Sequence, residues 1–165
     1  MKALIFAARG VTFVELMATV VIIGIVSSMA VPRFQIAYER ILIRSTNRQI
    51  ASTLRLARSM AVSGKDRYGV YFDQGALTVS LFKNTASPET NEYTVADSLI
   101  RVDTLPPAFS FMAGENTIIF QPNGSAGFVG EGYILTMSQT PDVVSFTTLS
   151  VLASTGRVKI MSQYY

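Results

Sequence analysis

Seventeen residues without a charge separate Glu15 from Arg33, and Glu15 is the one charge between Val11 and Pro32. At about 1.5 Å per helical residue the stretch from Val11 to Pro32 reaches roughly 33 Å, close to the ~30 Å hydrocarbon core of a bilayer. A segment of this length and polarity can span a membrane. Lys2 and Arg9 stand before it, so the positive-inside tendency keeps the short N-terminal side cytoplasmic and sends the rest across. A cleavable secretory signal also begins with a basic region, and Ser27 to Ala30 could loosely supply its small-residue cut site. That alternative gives no account of Glu15.

A carboxylate near the start of a membrane helix costs a few kcal/mol to insert and calls for a partner. No Lys or Arg lies within helical reach on its apolar side. If the chain is cut after Gly10, the new amino group of Val11 offers a positive charge at the right depth, on this chain or a neighbour. In a low dielectric that attraction would set the axial register of packed helices. The other reading is a side chain that snorkels at the interface.

Gly10, then Val11-Thr12-Phe13-Val14, then Glu15-Leu16 and an apolar helix resemble the type III signal of the type IV pilin and type II secretion pseudopilin superfamily. The resemblance implies cleavage after Gly10 by a membrane prepilin peptidase, N-methylation of Val11, and an assembly role for Glu15. It also implies subunit packing in a filament, with other pilins or pseudopilins as partners. The first mature residue is Val rather than the commoner Phe.

Past the anchor, Ile36, Ile43, Ile50, Leu54, Ala57 and Ala61 fall on one stripe of a continuing helix, which is expected to pack on a sheet. Arg33, Arg40, Arg44, Arg48, Arg55 and Arg58 form a second stripe beside it, diluted only by Glu39. Gly24 and Pro32 are the weak points of the helix: proline removes a backbone hydrogen bond, and glycine costs about 1 kcal/mol relative to alanine. They are candidates for local bending or melting on assembly. The helix is expected to stop near Ser63-Gly64, glycine being favoured just past a C-terminus.

From Tyr68 the period changes to that of strands. Tyr68–Asp73, a Gln74-Gly75 turn and Ala76–Phe82 read as a hairpin, with Leu77, Val79 and Leu81 on one face and Thr78, Ser80 and Phe82 on the other. Residues 84–91 are polar and hold Pro88, a loop. Further strands are expected at Leu99–Val102, Phe109–Met112, Thr117–Gln121, Tyr133–Ser138, Val143–Leu152 and Arg157–Met161. Turn signals between them include Pro106-Pro107, Gly114, Asn123-Gly124, Gly130 to Gly132, Pro141-Asp142 and Thr155-Gly156. Hairpin-length connections make the sheet mainly antiparallel. The fold class is α+β: a long N-terminal helix, transmembrane half plus amphipathic half, on a β-rich head. The segments are a leader at 1–10, a transmembrane helix at 11–32, its amphipathic continuation at 33–64 and a head at 65–165.

Ile118 to Gly127, an apolar strand entering a Pro122-Asn123-Gly124 turn, and the last hairpin closed by Gly156-Arg157-Val158 are similar to the minor pseudopilin H (GspH) and FimT-type minor pilin family. This implies a minor subunit of a type II secretion pseudopilus or a type IV pilus, anchored in the inner membrane with its head in the periplasm. Its work would be filament initiation and protein secretion, with secreted cargo as a further partner. The alternative implied by the FimT side is DNA binding for natural transformation, at Arg157 and Lys159. Residues 11–67 carry eight Lys/Arg against three acids, while 68–101 and 102–165 each carry two against four. The basicity therefore belongs to the helix, and an acidic head beside a basic helix flank suits ordered assembly.

An enzyme is not expected. The chain has no His and no Cys, which removes the usual general base, the commonest metal ligands and any disulfide. Lys65, Lys83 and Lys159 stand in no Ser-x-x-Lys arrangement, and neither an Asp-x-Asp calcium loop nor a phosphate-cradling glycine loop occurs. No cofactor or metal is implied.

Overall fold

The computed structural model describes residues 10–86, 89–107, 109–113, 116–127, 133–138 and 145–164. The leader up to Arg9, Pro88, Gly114, the Gly130 to Gly132 turn, Pro141-Asp142 and the expected strand start at Val143 lie outside them. The chain divides into two units, one ending at Glu39 and the other running from Arg40.

The first unit is the N-terminal part of helix α1 (Phe13–Gly64). Thr12 caps it: its Oγ1 accepts from the backbone N–H of Glu15 at 3.3 Å, and its carbonyl accepts from Leu16 N–H at 3.1 Å. Threonine followed three residues later by glutamate is the capping-box spacing. Glu15 thus also sits in the first turn, where the helix dipole favours a negative charge. On either side of it Phe13, Val14, Leu16, Met17, Val20 to Ile23, Ile25, Val26, Met29 and Val31 are all exposed. A helix apolar on every side is one that lipid or other helices must surround. It is long and apolar enough to cross a membrane, and it fits a membrane anchor. The helix is unbroken through Gly24 and Pro32.

In the second unit the remainder of α1 turns Ile43, Ile50, Ala51, Leu54, Ala57 and Ala61 into a core shared with two antiparallel sheets. The first sheet has the order β3-β2-β1-β5-β6, from β1 (Tyr68–Asp73), β2 (Thr78–Lys83), β3 (Ser98–Thr104), β5 (Thr117–Phe120) and β6 (Ala126–Gly127). The second has the order β4-β7-β8-β9, from β4 (Phe109–Ala113), β7 (Tyr133–Ser138), β8 (Ser145–Leu152) and β9 (Arg157–Tyr164). Val70 and Phe72, Val79 and Leu81, and Ile118 and Phe120 join the helix stripe in the core, as do Leu149, Val151 and Val158. The α+β class and the helix-on-sheet packing are as the sequence leads one to expect. A single sheet with hairpins throughout is not: β5 pairs with β1, and β4 with β7.

Three local expectations are corrected. Leu77 is not in β2; it lies in the turn at φ +52°, while Asp73 Oδ1 accepts from the N–H groups of Gly75 and Ala76 at 2.9 Å each. An aspartate at this position builds an Asx turn, which makes the connection four residues long. β2 is also not half-solvated, because Ser80 and Phe82 are buried along with Val79 and Leu81. The loop after β2 covers that second face: Tyr93 stacks on Tyr71 at 4.6 Å and meets the edge of Phe82 at 4.9 Å. At the helix end, Lys65 rather than glycine takes the left-handed conformation, φ +49°. Asp66 then pairs with Lys83 of β2 at 2.6 Å.

Candidate functional site: an arginine cleft at the last hairpin

The two C-terminal turns singled out in the sequence meet on one side chain of the helix. Asn123-Gly124 follows β5 in a tight turn, with Gly124 N–H donating to Gln121 O at 2.8 Å and Asn123 Oδ1 accepting from Ser125. The hairpin between β8 and β9 closes with Gly156 N–H donating to Leu152 O at 2.7 Å. Ala126 N–H donates to Ala153 O at 2.8 Å, which ties one turn to the other. Arg58 reaches them from α1, its Nε donating to Gly124 O at 3.2 Å.

Gly156 has no substitute here. Its φ is +61°, and a Cβ would stand 2.3 Å from Gly124 O and 3.1 Å from the Arg58 side chain. Both the backbone conformation and the close approach demand glycine. That approach leaves a cleft of about 650 Å³ lined by Arg55, Arg58, Ser59, Val62 and Ser63 of α1 and by Gly156, Arg157 and Val158 of the hairpin. Arg157 also borders a smaller recess, about 300 Å³, with Ser150, Val151, Leu152 and Lys159. The register sets Ser150 opposite Lys159 and Leu152 opposite Arg157, so the two cations project from the same side of β9.

Arg157 and Lys159, paired on sequence grounds, are therefore neighbours on one surface. Sequence reasoning missed Arg55 and Arg58 as their companions, having read them only as part of a stripe. The glycine-bearing turns at 124 and 156 were the available signal. Gly10, Val11 and Glu15 stand together at the exposed start of α1, and Gly24 is exposed with no neighbour where its side chain would be.

A second built feature is the loop from Asn84 to Asp97. Asp97 is buried, and its carboxylate accepts from Thr85 N–H, Ala86 N–H, Thr94 N–H and Thr94 Oγ1 at 2.9 to 3.0 Å. Burial pushes its pKa up, but the four hydrogen bonds together outweigh this and hold it below the ordinary carboxylate value. Asn84 Nδ2 donates to Thr90 O at 3.1 Å, and Arg67 to Asn91 Oδ1 at 3.0 Å. Among the described residues no group of His, Cys, Asp and Glu could hold a metal ion.

A long helix whose C-terminal part packs on antiparallel sheets is the fold of type IV pilins. The Pseudomonas aeruginosa type IV minor pilin FimU shares it, with a TM-score of 0.59 over 74% of this chain and 90% of that one, at 18% identity. So does the minor pseudopilin EpsH from the Type 2 Secretion System of Vibrio cholerae, with a TM-score of 0.52 over 72% of this chain and 95% of that one, at 14% identity. In sequence, the family described as Type II transport protein GspH matches residues 46–160. The chain belongs to the GspH family of minor pseudopilins and pilins. Such proteins are structural subunits that assemble with other pilins, not enzymes. No curated protein sequence matches the chain.

Proposed function

We infer that the chain is a minor subunit of a type II secretion pseudopilus or type IV pilus, acting in filament initiation and secretion. The observation that carries this reading is the GspH match over residues 46–160 on a chain whose preceding helix exposes apolar side chains all round. Prepilin peptidase cuts after Gly10 and Val11 is methylated. The helix then leaves the inner membrane for a filament core, while the head stays periplasmic. There Val11 to Val31 exchange lipid for neighbouring helices, van der Waals packing replacing one apolar surround with another. Glu15, in the capped first turn, supplies the charge that fixes register against the amino group of Val11 on an adjacent subunit.

Intact mass and N-terminal sequencing of the protein from membranes, with and without prepilin peptidase, test this. The expected result is a mature chain beginning at methylated Val11 only where the peptidase is present. An uncut chain, or one cut near Ala30, would refute it.

A further inference from the structure

Arg33, Phe34 and Tyr38 follow directly on the apolar stretch of α1, within the unit that ends at Glu39. All three are exposed, Phe34 to 74% and Tyr38 to 66%. Phe34 and Tyr38, four residues apart, share one helix face, and Arg33 lies about 100° around from Phe34. Between Val11 and Glu39, Arg33 is the one basic side chain in the sequence. No acid stands three or four residues from it, the spacing that makes ion pairs along a helix, and Glu39 is six positions on.

Arg33 stands 18 residues after Glu15, a rise of about 27 Å. A helix with Glu15 at one edge of the ~30 Å hydrocarbon core therefore carries Arg33 to the other. From Arg33 to Tyr38 the rise is about 7.5 Å, roughly the depth of one headgroup layer. The side chains change in the order the bilayer does. Val31 is apolar, Arg33 presents a donor fork that matches phosphate, and Phe34 and Tyr38 offer rings for the interface, with the tyrosine hydroxyl on the wet side.

We propose that Arg33, Phe34 and Tyr38 form a collar that binds anionic phospholipid headgroups of the periplasmic leaflet, with the guanidinium on a phosphate and the rings beside it in the interface. Lys2 and Arg9 leave with the leader. In the mature chain the collar is then the cationic contact that holds the spanning helix at its depth, with Glu15 at the opposite edge, until assembly draws the helix out. Interfacial aromatic and basic anchors set the position of a spanning helix in this way. The inference rests on the membrane-anchored subunit reading above.

The chain has no cysteine, so a nitroxide can be placed by Q35C, among the collar residues, or by I23C, in the middle of the apolar stretch. Each protein, taken from cells that make prepilin peptidase, is reconstituted in phosphatidylcholine vesicles with and without phosphatidylglycerol. Collisions of the label with a neutral, water-soluble nickel chelate are read by electron paramagnetic resonance. The I23C label should be shielded in both lipids. Collisions at the Q35C label should fall about fivefold when phosphatidylglycerol is added, the factor that one basic side chain contributes at an anionic membrane surface. R33Q should abolish this dependence on lipid, R33E should invert it and R33K should keep it, a pattern that a merely structural role for residue 33 would not produce. If the I23C label is shielded but Q35C collisions are equal in the two lipids, or R33Q leaves the dependence in place, the collar falls and the anchor reading stands. If the Q35C label is shielded only in native membranes that hold the other pilins, a partner helix covers this face and the proposal is overturned. If the I23C label itself meets the chelate freely, the membrane-anchored reading fails.

Discussion

Asp97 is buried with four donors pointed at its carboxylate, and each would be left in poor company by a weaker acceptor. Asp97→Asn keeps the shape but replaces one acceptor oxygen with a donor. Hydrogen bonds to a charged group contribute about 1.5–3 kcal/mol each when the partner is lost. The expected loss is about 2–3 kcal/mol, a fall in Tm on the order of 5–10 °C, measured by thermal unfolding. The pH dependence has a definite sign. Because the folded pKa is depressed, the contribution is fully present above the unfolded value of about 3.9 and is lost as pH falls through the folded one. Wild type should therefore lose more Tm than Asp97→Asn between pH 5 and pH 2, and an equal loss would remove the role. Nothing in the residues around Asp97 announces this hub, since an acid in a polar loop reads as solvated until its donors are in place.

At the scale of elements, the docking of two turns on Arg58 depends on the absence of one methyl group. Gly156→Ala puts a Cβ 2.3 Å from Gly124 O at a φ of +61°. The left-handed conformation alone costs a residue with a side chain about 1–2 kcal/mol, and the backbone clash must be relieved by moving the hairpin. Thermal unfolding should show a loss greater than that figure. Arg157→Ala, on an exposed side chain, should change Tm little. The elements themselves were largely legible: the helix stripe, β1, β5, β7 and β9 follow from apolar period and turn chemistry. β2 misled because alternation implies one wet face, and only the Tyr93 loop, distant in sequence from the turn that starts β2, dries the other. Leu77 misled because an Asx turn from Asp73 can force a leucine to positive φ, which no propensity anticipates.

For the whole molecule, the N-terminal part of α1 exposes its apolar residues to whatever surrounds it, and assembly decides what that is. Glu15→Val should leave cleavage after Gly10 intact, yet cut incorporation into filaments severalfold, as read by sheared-filament immunoblots against total membrane protein. Equal incorporation would return Glu15 to its local role beside the Thr12 cap. The sequence alone determined the membrane-length helix, its single acid, the α+β class and the turns at 124 and 156, because these rest on period, length and the backbone freedom of particular residues, all of them local. Tertiary structure alone decided that the strands divide into two sheets, that the loop to Asp97 seals an outer face, and that Arg55, Arg58 and Arg157 share a cleft. Those facts join residues about 100 positions apart in the case of Arg58 and Arg157. Such pairings are chosen by the burial of the whole core, a quantity that no local stretch of chain contains.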